Sequence, residues 1–238
     1  MADVVPERAL VVMAHPDDAD FSCAGTVALW AEAGAEVTYL MVTDGDAGGD
    51  ELTLDSSEIA AMRRKEQRQA AAEVGVKDVR FLGYPDGRVL ASLDLRRDIS
   101  RVIRQVQPQR LIAPSPERNW DSIAASHPDH LAAGEASINA VFPDARNPHA
   151  HRELLAEEGL KAWTVPEVWV VGGPKPNRYT DITTVFDRKV GALAAHESQI
   201  GDITELEPML RQWMAANGAE AGFPAGHLAE VFQVVQTG

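Results

Sequence analysis

Short apolar runs recur along the chain between longer stretches in which apolar residues follow a helical period. Runs of about four to eight residues that are rich in β-branched side chains, and that end at Pro, Gly or polar clusters, are typical of buried strands. We therefore predict five strands, at Arg8–Ala14, Val37–Thr43, Val79–Leu82, Arg110–Ala113 and 167–173.

The intervening stretches carry the spacing and the end signals of helices. Gly34 and Gly75 stand where helix C-caps are expected, and Pro108 stops a third helical pattern. Helices are therefore predicted at Asp20–Gly34, Ser57–Gly75 and Leu93–Gln107 and, later in the chain, from about Asp187 and from about Glu205.

Strands that alternate with helices indicate right-handed crossovers and a mostly parallel sheet. The chain shows no internal repeat, low-complexity segment or linker that would divide it. A length of 238 residues, of which 45% are hydrophobic, suits one large domain with an ample core. We predict a single α/β domain over residues 1–238, Rossmann-like, with helices on both faces of the sheet.

The charge balance limits the partners of the protein. Asp and Glu number 36 against 22 Lys and Arg, which gives a net charge of −14. Such a chain repels phosphate backbones and anionic membrane surfaces. Nucleic acid and lipid headgroups are therefore not expected as partners, whereas a small molecule is. The sequence leaves a homo-oligomer open.

Cysteine content and targeting signals narrow the class further. Cys23 is the one cysteine, so an intrachain disulfide and a Cys-rich zinc module are excluded. Because the amino terminus lacks a signal-peptide pattern and no apolar run approaches about 18 residues, we expect a cytoplasmic protein without membrane insertion.

The first candidate site follows the first strand, in the stretch "MAHPDDADF" at residues 13–21. His15 and Asp18 are three positions apart on a turn, a spacing that lets an imidazole nitrogen and a carboxylate oxygen converge on a zinc ion. Asp17, between them, would point elsewhere. Carboxylates also stabilise helix N-termini, so capping of the next helix is an equal alternative for the aspartates. Capping does not account for His15.

A second candidate, "SHPDH" at residues 126–130, follows the fourth strand. Taken alone, such a run is more typical of a surface turn and a helix cap. Since ligands bind at the carboxyl ends of the strands in a parallel sheet, two His/Asp-rich turns behind separate strands favour one shared site. The second run could supply a third metal ligand and a His–Asp pair.

Three protein ligands with an open fourth position are typical of catalytic zinc, which activates a water and polarises a carbonyl. Asp17 and His127 are the members suited to taking the proton of that water and to stabilising the oxyanion and protonating the leaving amine. Dinucleotide, P-loop, serine-elbow and H-E-x-x-H motifs are absent. Cys23 has no nearby histidine in its predicted helix and fits a small core residue.

With these residues in hand, the chain resembles the LmbE-like (PIG-L) family of zinc-dependent deacetylases, which includes the N-acetylglucosaminyl-phosphatidylinositol de-N-acetylases. Seven motifs carry the resemblance and span almost the whole chain in family order. They are "AHPDD" at 14–18, "TDG" at 43–45, "RRKE" at 63–66, "FLGYPDG" at 81–87, "HPDH" at 127–130, "DIT" at 181–183 and "HESQ" at 196–199.

The resemblance implies roles for residues at the matching positions. His15, Asp18 and His130 would hold one zinc ion per chain, with another divalent ion as the alternative, and Asp17 would be the general base. His127 would face the tetrahedral intermediate.

Three further expectations accompany these roles. Asp129 would accept the second ring proton of His127, and a neighbouring carboxylate would raise the pKa of that imidazole. Arg63 would match a substrate-binding arginine; alternatively, it belongs to a solvated helix face. His196 is expected to pack near the site rather than to take part in the chemistry.

The resemblance also implies a function, namely zinc-dependent removal of an N-acetyl group from an N-acetylglucosamine-type conjugate with release of acetate. Two alternatives stay open: a zinc amidase that acts on a non-sugar acyl or thiol conjugate, and a metal-dependent binding protein without turnover. The acidic loop "DAGGDELTLDSS" after "TDG" disfavours an anionic inositol phosphate as substrate.

Overall fold

The protein, described from a computed structural model, folds around one seven-stranded sheet. The structure describes residues 4–49, 53–121, 123, 126–200 and 203–238. The strands are β1 (Arg8–Met13), β2 (Glu36–Thr43), β3 (Asp78–Tyr84), β4 (Arg110–Pro114), β5 (Glu167–Val171), β6 (Arg178–Asp181) and β7 (Ala229–Gln236).

Helices connect most of these strands. They are α1 (Asp18–Ser22), α2 (Ala24–Glu32), α3 (Ser56–Glu73), α4 (Leu93–Val106), α5 (Pro128–Asn139), α6 (Arg152–Ala156), α7 (Phe186–Ala194) and α8 (Ile203–Glu220), with short irregular helical segments at Ala140–Ala145 and Thr183–Val185.

The strand order across the sheet is β3-β2-β1-β4-β5-β7-β6. The first five of these strands are parallel, and β7 runs antiparallel to both β5 and β6. The predicted single α/β fold with a mostly parallel sheet and its five strands are confirmed. Residues 50–52, 122, 124 and 125, which belong to two of the predicted loops, lie outside the described residues.

The edge strand β6 and its neighbour β7 were not predicted, and neither were the helices α5 and α6. The helices α1 and α2 replace one predicted helix. β6 is only four residues long, too short for a periodic signal, and β7 carries three polar side chains among its apolar ones. The chain turns at Cys23, which is fully buried as expected, so that α1 is a short separate element directly behind β1.

Side chains of β1 alternate between two apolar layers. Ala9, Val11 and Met13 belong to the core that α2, α3, α7 and α8 cover, and Leu10 and Val12 belong to the core beneath α4 and α5. Both faces of this central strand are therefore buried, which explains its unbroken apolar run. None of the helices described is both long enough and apolar enough to cross a bilayer.

The parallel order brings four turns to one edge of the sheet. The turns after β1, β2, β3 and β4 all leave from the carboxyl ends of neighbouring strands. These four turns contain "AHPDD", "TDG", "YPDG" and, after the longer loop behind β4, "HPDH". The fold therefore places the two His/Asp-rich runs, and two further Asp-containing turns, at the same edge.

Candidate active site

The turn behind β1 has a backbone conformation that is uncommon for a residue with a side chain. Asp17 adopts φ 94° and ψ −28°, in the left-handed region. It precedes α1, yet no side-chain cap bond forms there among the described residues. The Asp18 carboxylate accepts the backbone N–H of His15 at 2.8 Å. Helix capping therefore does not account for these two aspartates.

Three side chains with ligand-type atoms form a triangle at the edge of the sheet. His15 Nδ1 lies 3.2 Å from His130 Nε2 and 3.5 Å from Asp18 Oδ2, and His130 Nε2 lies 3.0 Å from Asp18 Oδ1. Ligands about 2.0–2.2 Å from a tetrahedral zinc ion are separated from one another by roughly 3.3–3.6 Å. The spacing of the ligand atoms of these three side chains thus fits a small divalent cation.

Three histidines at the same edge also bring their ring nitrogens close together. His15, His127 and His130 offer ligand atoms within 4.8 Å of one another. The ring centroids of His15 and His127 are 4.9 Å apart, and those of His127 and His130 are 5.3 Å apart. His127 therefore lies at the rim of the triangle, on the exposed side of the cluster.

The other nitrogen of His15 faces two more carboxylates. His15 Nε2 lies 3.0 Å from Asp86 Oδ1 and 3.2 Å from Asp129 Oδ2. Asp129 is fully buried, and its carboxylate also accepts the backbone N–H groups of Gly87 and Val89 at 2.7 and 3.1 Å. A carboxylate that holds the far nitrogen of a histidine orients the ring toward a metal.

Charge in the cluster is set by these contacts. Burial lowers the pKa of His15, but the hydrogen bonds and charges of Asp18 and Asp86 outweigh it and raise the value to about 10. Burial likewise opposes the charge of Asp86, whose bond to His15 lowers its pKa to about 2. The surroundings of His15 therefore attract positive charge strongly, as a cation site must.

His127 corrects one expectation. Its Nδ1 accepts the backbone N–H of Asp129 at 3.2 Å and so caps α5. Burial and the neighbouring His15 and His130 lower the pKa of His127. The expected rise in its pKa is wrong, because the described contacts of the Asp129 carboxylate are to His15 and to the backbone rather than to His127.

Asp17 points into the same cavity and has an unusual acidity. Its Oδ2 accepts a hydrogen bond from Arg63 Nη2 at 3.0 Å. Burial and the charge of Asp18 raise the pKa of Asp17, Arg63 lowers it, and the result is about 7. A carboxyl group with a pKa near neutrality can both take up and return a proton, as a general base requires.

Arg63 is buried, with 4% of its surface exposed, so the solvated-face alternative is wrong. Its guanidinium also donates to the carbonyls of Gly45 and Pro16 at 3.0 and 2.8 Å. A Cβ at Gly45 or Gly48 would lie 2.4 Å from Arg63 Nη1. The glycines of the loop behind β2 thus leave room for the arginine beside Asp17.

A cavity of about 350 Å³ opens over this cluster. Ala47, Gly48 and Gly87 contribute to its wall, together with the seven polar side chains of His15, Asp17, Asp18, Arg63, Asp86, His127 and His130. The volume falls within the range of small-molecule sites. Of the residues predicted from the sequence, all but the buried Asp129 line this cavity.

Sequence reasoning did not single out Asp86 and Gln67, two residues that the structure places at the site. Asp86 lies in the quoted motif "FLGYPDG", in the turn that follows β3. Because β3 is separated from β1 only by β2, this position in the motif was the signal that the sequence offered. Gln67 and Asp20 are fully buried and join one another by a hydrogen bond of 2.8 Å. His196, expected to pack near the site, is bonded to Asp20 at 2.9 Å.

Comparison with known proteins now decides the family. The family model described as GlcNAc-PI de-N-acetylase (PIG-L) matches residues 10–141, which include the triangle and Asp17. The chain belongs to this family. The resemblance drawn from the seven motifs is confirmed, and the PIG-L homologues that match this chain are named deacetylases, hydrolases of N-acetyl amide bonds.

Two relatives and one solved structure illustrate the similarity. Diacetylchitobiose deacetylase of Thermococcus kodakarensis is 33% identical over 86% of this chain and 75% of its own length. A probable N-acetyl-alpha-D-glucosaminyl L-malate deacetylase 2 of Bacillus cereus is 34% identical over 80% and 82%. The N,N'-diacetylchitobiose deacetylase of Pyrococcus horikoshii, solved with its inhibitor MPG, superimposes with a TM-score of 0.88 at 31% identity, over 97% of this chain and 84% of that one.

Proposed function

We propose that this PIG-L protein is a zinc-dependent hydrolase that removes the N-acetyl group from an N-acetylglucosamine-type conjugate and releases acetate. The observation that carries the proposal is the triangle of His15, Asp18 and His130 beside Asp17, a carboxylate whose pKa is about 7. Family membership and the deacetylase names of the relatives support the reaction type.

In this proposal His15, Asp18 and His130 hold the cation. Two imidazole nitrogens and one carboxylate oxygen form a donor set that zinc accepts, with another divalent ion as the alternative. The bound cation supplies an activated water and polarises the acetamide carbonyl. Asp129 and Asp86 fix the His15 ring by bonds to its far nitrogen.

Asp17 moves the protons. In its charged form it takes a proton from the attacking water, and with a pKa of about 7 it then has a proton to return to the departing amine. Arg63 holds the carboxylate in place through Oδ2 and leaves Oδ1 for the water. Arg63 thus positions Asp17, and it also lines the substrate cavity.

His127 acts as a neutral donor rather than as an imidazolium. Because its Nδ1 accepts the N–H of Asp129, its proton lies on Nε2. A lowered pKa keeps the ring neutral at physiological pH. The Nε2–H can therefore donate to the oxygen that gains negative charge when the acetamide carbonyl is attacked. Catalysis by His127 then requires no ring protonation.

The substrate proposed is a neutral glycoside of N-acetylglucosamine. Carboxylates of Asp17, Asp18 and Asp86 line the cavity, and the chain carries a net charge of −14. Arg63 and the cation offset the carboxylates within the cavity, so it is the net charge of the chain that repels an anionic conjugate as it approaches. Among the relatives, one is named for diacetylchitobiose, a neutral compound, and another for the malate conjugate, an anionic one. The charge of this chain favours the former class.

Replacement of Asp17 by Asn tests the proposal. The variant keeps the shape of the side chain but cannot accept a proton, so kcat for acetate release from N,N'-diacetylchitobiose should fall by roughly 10²–10⁴-fold. Zinc content and KM should be unchanged. Asp94→Asn, on the exposed face of α4, is the matched control and should retain full activity.

Loss of zinc from Asp17→Asn would make Asp17 a ligand and overturn its assignment as base. Absence of acetate release by the zinc-loaded wild-type protein from every N-acetylglucosamine compound tried, with release from a non-sugar N-acetyl conjugate, would favour the amidase alternative. Zinc binding without turnover of either class would favour a binding protein.

A further inference from the structure

We propose that Gln67 is a positioning residue for the base Asp17, and that it acts through one hydrogen bond to the Asp17 backbone within a buried chain that also contains Asp20 and His196. The inference rests on the proposed function, since it assigns Asp17 a task in the reaction. Three features of the structure carry it.

The first feature is the conformation of Asp17. At φ 94° a non-glycine residue is strained, and such conformations persist only where the surroundings enforce them. The strain has a visible result: the carboxylate turns away from the N-terminus of α1 and toward the cavity. Relaxation of the backbone would move the carboxylate from that position.

The second feature is the bond that opposes this relaxation. The backbone N–H of Asp17 donates to Gln67 Oε1 at 2.8 Å. Gln67 lies in the middle of α3 and is fully buried, so its side chain has little freedom of its own. Arg63, one turn earlier on α3, holds the carboxylate of the same residue. Adjacent turns of one helix thus fix both the backbone and the side chain of Asp17.

The third feature is the support of Gln67 itself. Gln67 Nε2 donates to Asp20 Oδ2 at 2.8 Å, and this bond fixes the amide so that Oε1 faces Asp17. His196 Nε2 lies 2.9 Å from the same oxygen, and both His196 and Asp20 are fully buried. From α7, Lys189 Nζ donates to the carbonyls of Asp20 and Phe21 at 2.9 and 2.7 Å.

Together these bonds connect α3 and the region of α7 to the turn that carries Asp17. Charged partners make such bonds strong, and full burial makes each one costly to lose. A catalytic group displaced by about 1 Å can lose roughly 10²-fold in rate. Removal of the Gln67 acceptor should therefore lower kcat while the cation ligands and the substrate cavity stay intact.

Three variants of the full chain test the inference. Gln67→Met keeps the length of the side chain but removes both hydrogen bonds. Gln67→Glu keeps an oxygen acceptor for the Asp17 N–H. Because two buried carboxyl groups in contact share one proton, the variant also keeps a donor to Asp20, and it serves as the conservative rescue. Ala71→Gly, one turn later on α3 and fully buried, destabilises the helix without touching the chain of bonds, and is the stability control.

For zinc-loaded protein acting on N,N'-diacetylchitobiose, we expect Gln67→Met to lower kcat by about 10- to 100-fold with KM changed less than about twofold and one zinc ion retained. Gln67→Glu should recover to within about fivefold of wild type, and Ala71→Gly should match wild type. Equal losses of kcat in all three variants, or full activity in Gln67→Met, would overturn the inference.

A second measurement needs no substrate. Exchange of the Asp17 amide proton, followed by NMR, should be slow in wild-type protein and in Gln67→Glu and faster by at least about tenfold in Gln67→Met. If the wild-type protein shows no deacetylase activity, the proposed function fails, whereas this exchange comparison still decides whether Gln67 holds the Asp17 backbone. Equal protection in all three proteins contradicts the inference.

Discussion

His15 is the residue on which the charges of the site converge. Its Nδ1 lies beside Asp18 and its Nε2 beside Asp86 and Asp129, so three carboxylates surround one imidazole. When no cation is bound, these negative charges favour a proton on the His15 ring. The pKa of His15 is therefore raised to about 10. A cation at the triangle would take the place of that proton.

This exchange of proton for cation can be measured. At pH 7.5 a group with a pKa of about 10 is protonated, and a metal ligand must be neutral, so zinc binding should release about one proton per chain from His15. The apparent zinc affinity should rise with pH, by up to about tenfold per unit between pH 6.5 and 8. Titration calorimetry in buffers of different ionisation enthalpy counts the protons.

Two variants sharpen the measurement. Asp86→Asn removes one of the groups that raise the pKa of His15, so it should reduce the number of protons released. His149→Gln, at an exposed histidine far along the chain, should leave the count unchanged. Zinc binding with no proton release at pH 7.5 would contradict the exchange of a His15 proton for the cation.

For individual residues, the sequence predicts which side chains lie at the same edge of the sheet better than it predicts which of them form hydrogen bonds with one another. His15, Asp17, Asp18 and His130 could be placed at one edge because parallel strands end together. The partner of the Asp129 carboxylate could not, since it depends on the angle at which α5 leaves the sheet. The burial of Arg63 likewise depends on the glycines that another loop places beside it.

At the scale of elements, a buried ion pair fixes the segment behind β1. Lys189 of α7 and Glu230 of β7 are 2.7 Å apart, and both side chains are almost fully buried. Glu230 also accepts the N–H groups of Gly25 and Thr26 at the start of α2, at 2.9 and 2.7 Å. The antiparallel strand β7 therefore holds both α2 and, through Lys189, α1.

Removal of one partner should cost more than removal of both. Glu230→Gln leaves the ammonium of Lys189 buried without its counter-charge, so the free energy of unfolding should fall by about 3–5 kcal/mol. The double variant Lys189→Met/Glu230→Gln should be more stable than Glu230→Gln alone. Urea unfolding of the four proteins of this double-mutant cycle provides the values.

The exposed pair of Arg211 and Glu207 on α8 is the control, and its disruption by Arg211→Ala should change the stability by less than about 1 kcal/mol. A double variant of the buried pair that is less stable than either single variant would contradict the assignment of an uncompensated charge.

The same elements show where prediction from sequence ends. The parallel strands and the helices α3, α4, α7 and α8 have periodic patterns and were predicted to within a few residues, whereas α5 was not predicted. The anchoring of α2 by β7 joins residues about 200 positions apart, such as Gly25 and Glu230. Local periodicity carries no information about such pairing, and the short β6 has almost no pattern of its own.

At the scale of the whole molecule, charge decides which substrates reach the site. A net charge of −14 repels anions over distances comparable to the Debye length, and added salt screens that repulsion. An uncharged sugar does not experience this repulsion. Substrate preference should therefore depend on ionic strength only when the substrate is charged.

Two compounds test this expectation. Between about 20 and about 300 mM salt, kcat/KM for N-acetylglucosamine 6-phosphate should rise several-fold from a low value, whereas kcat/KM for N-acetylglucosamine should stay within about twofold. A phosphate compound that is the better substrate at low salt would show instead that a cationic group near the cavity overrides the net charge.

The measurement that tests the account most directly is the dependence of acetate release on zinc. Protein stripped of metal is titrated with zinc, and acetate and free amine are counted from N,N'-diacetylchitobiose. We predict equal amounts of both products, a rate that rises in proportion to zinc up to one ion per chain and then stops, and a His130→Ala variant that gains little activity at one equivalent. Equal rates in stripped and zinc-loaded protein, or no acetate at any zinc level, would contradict the assignment of a zinc-dependent deacetylase.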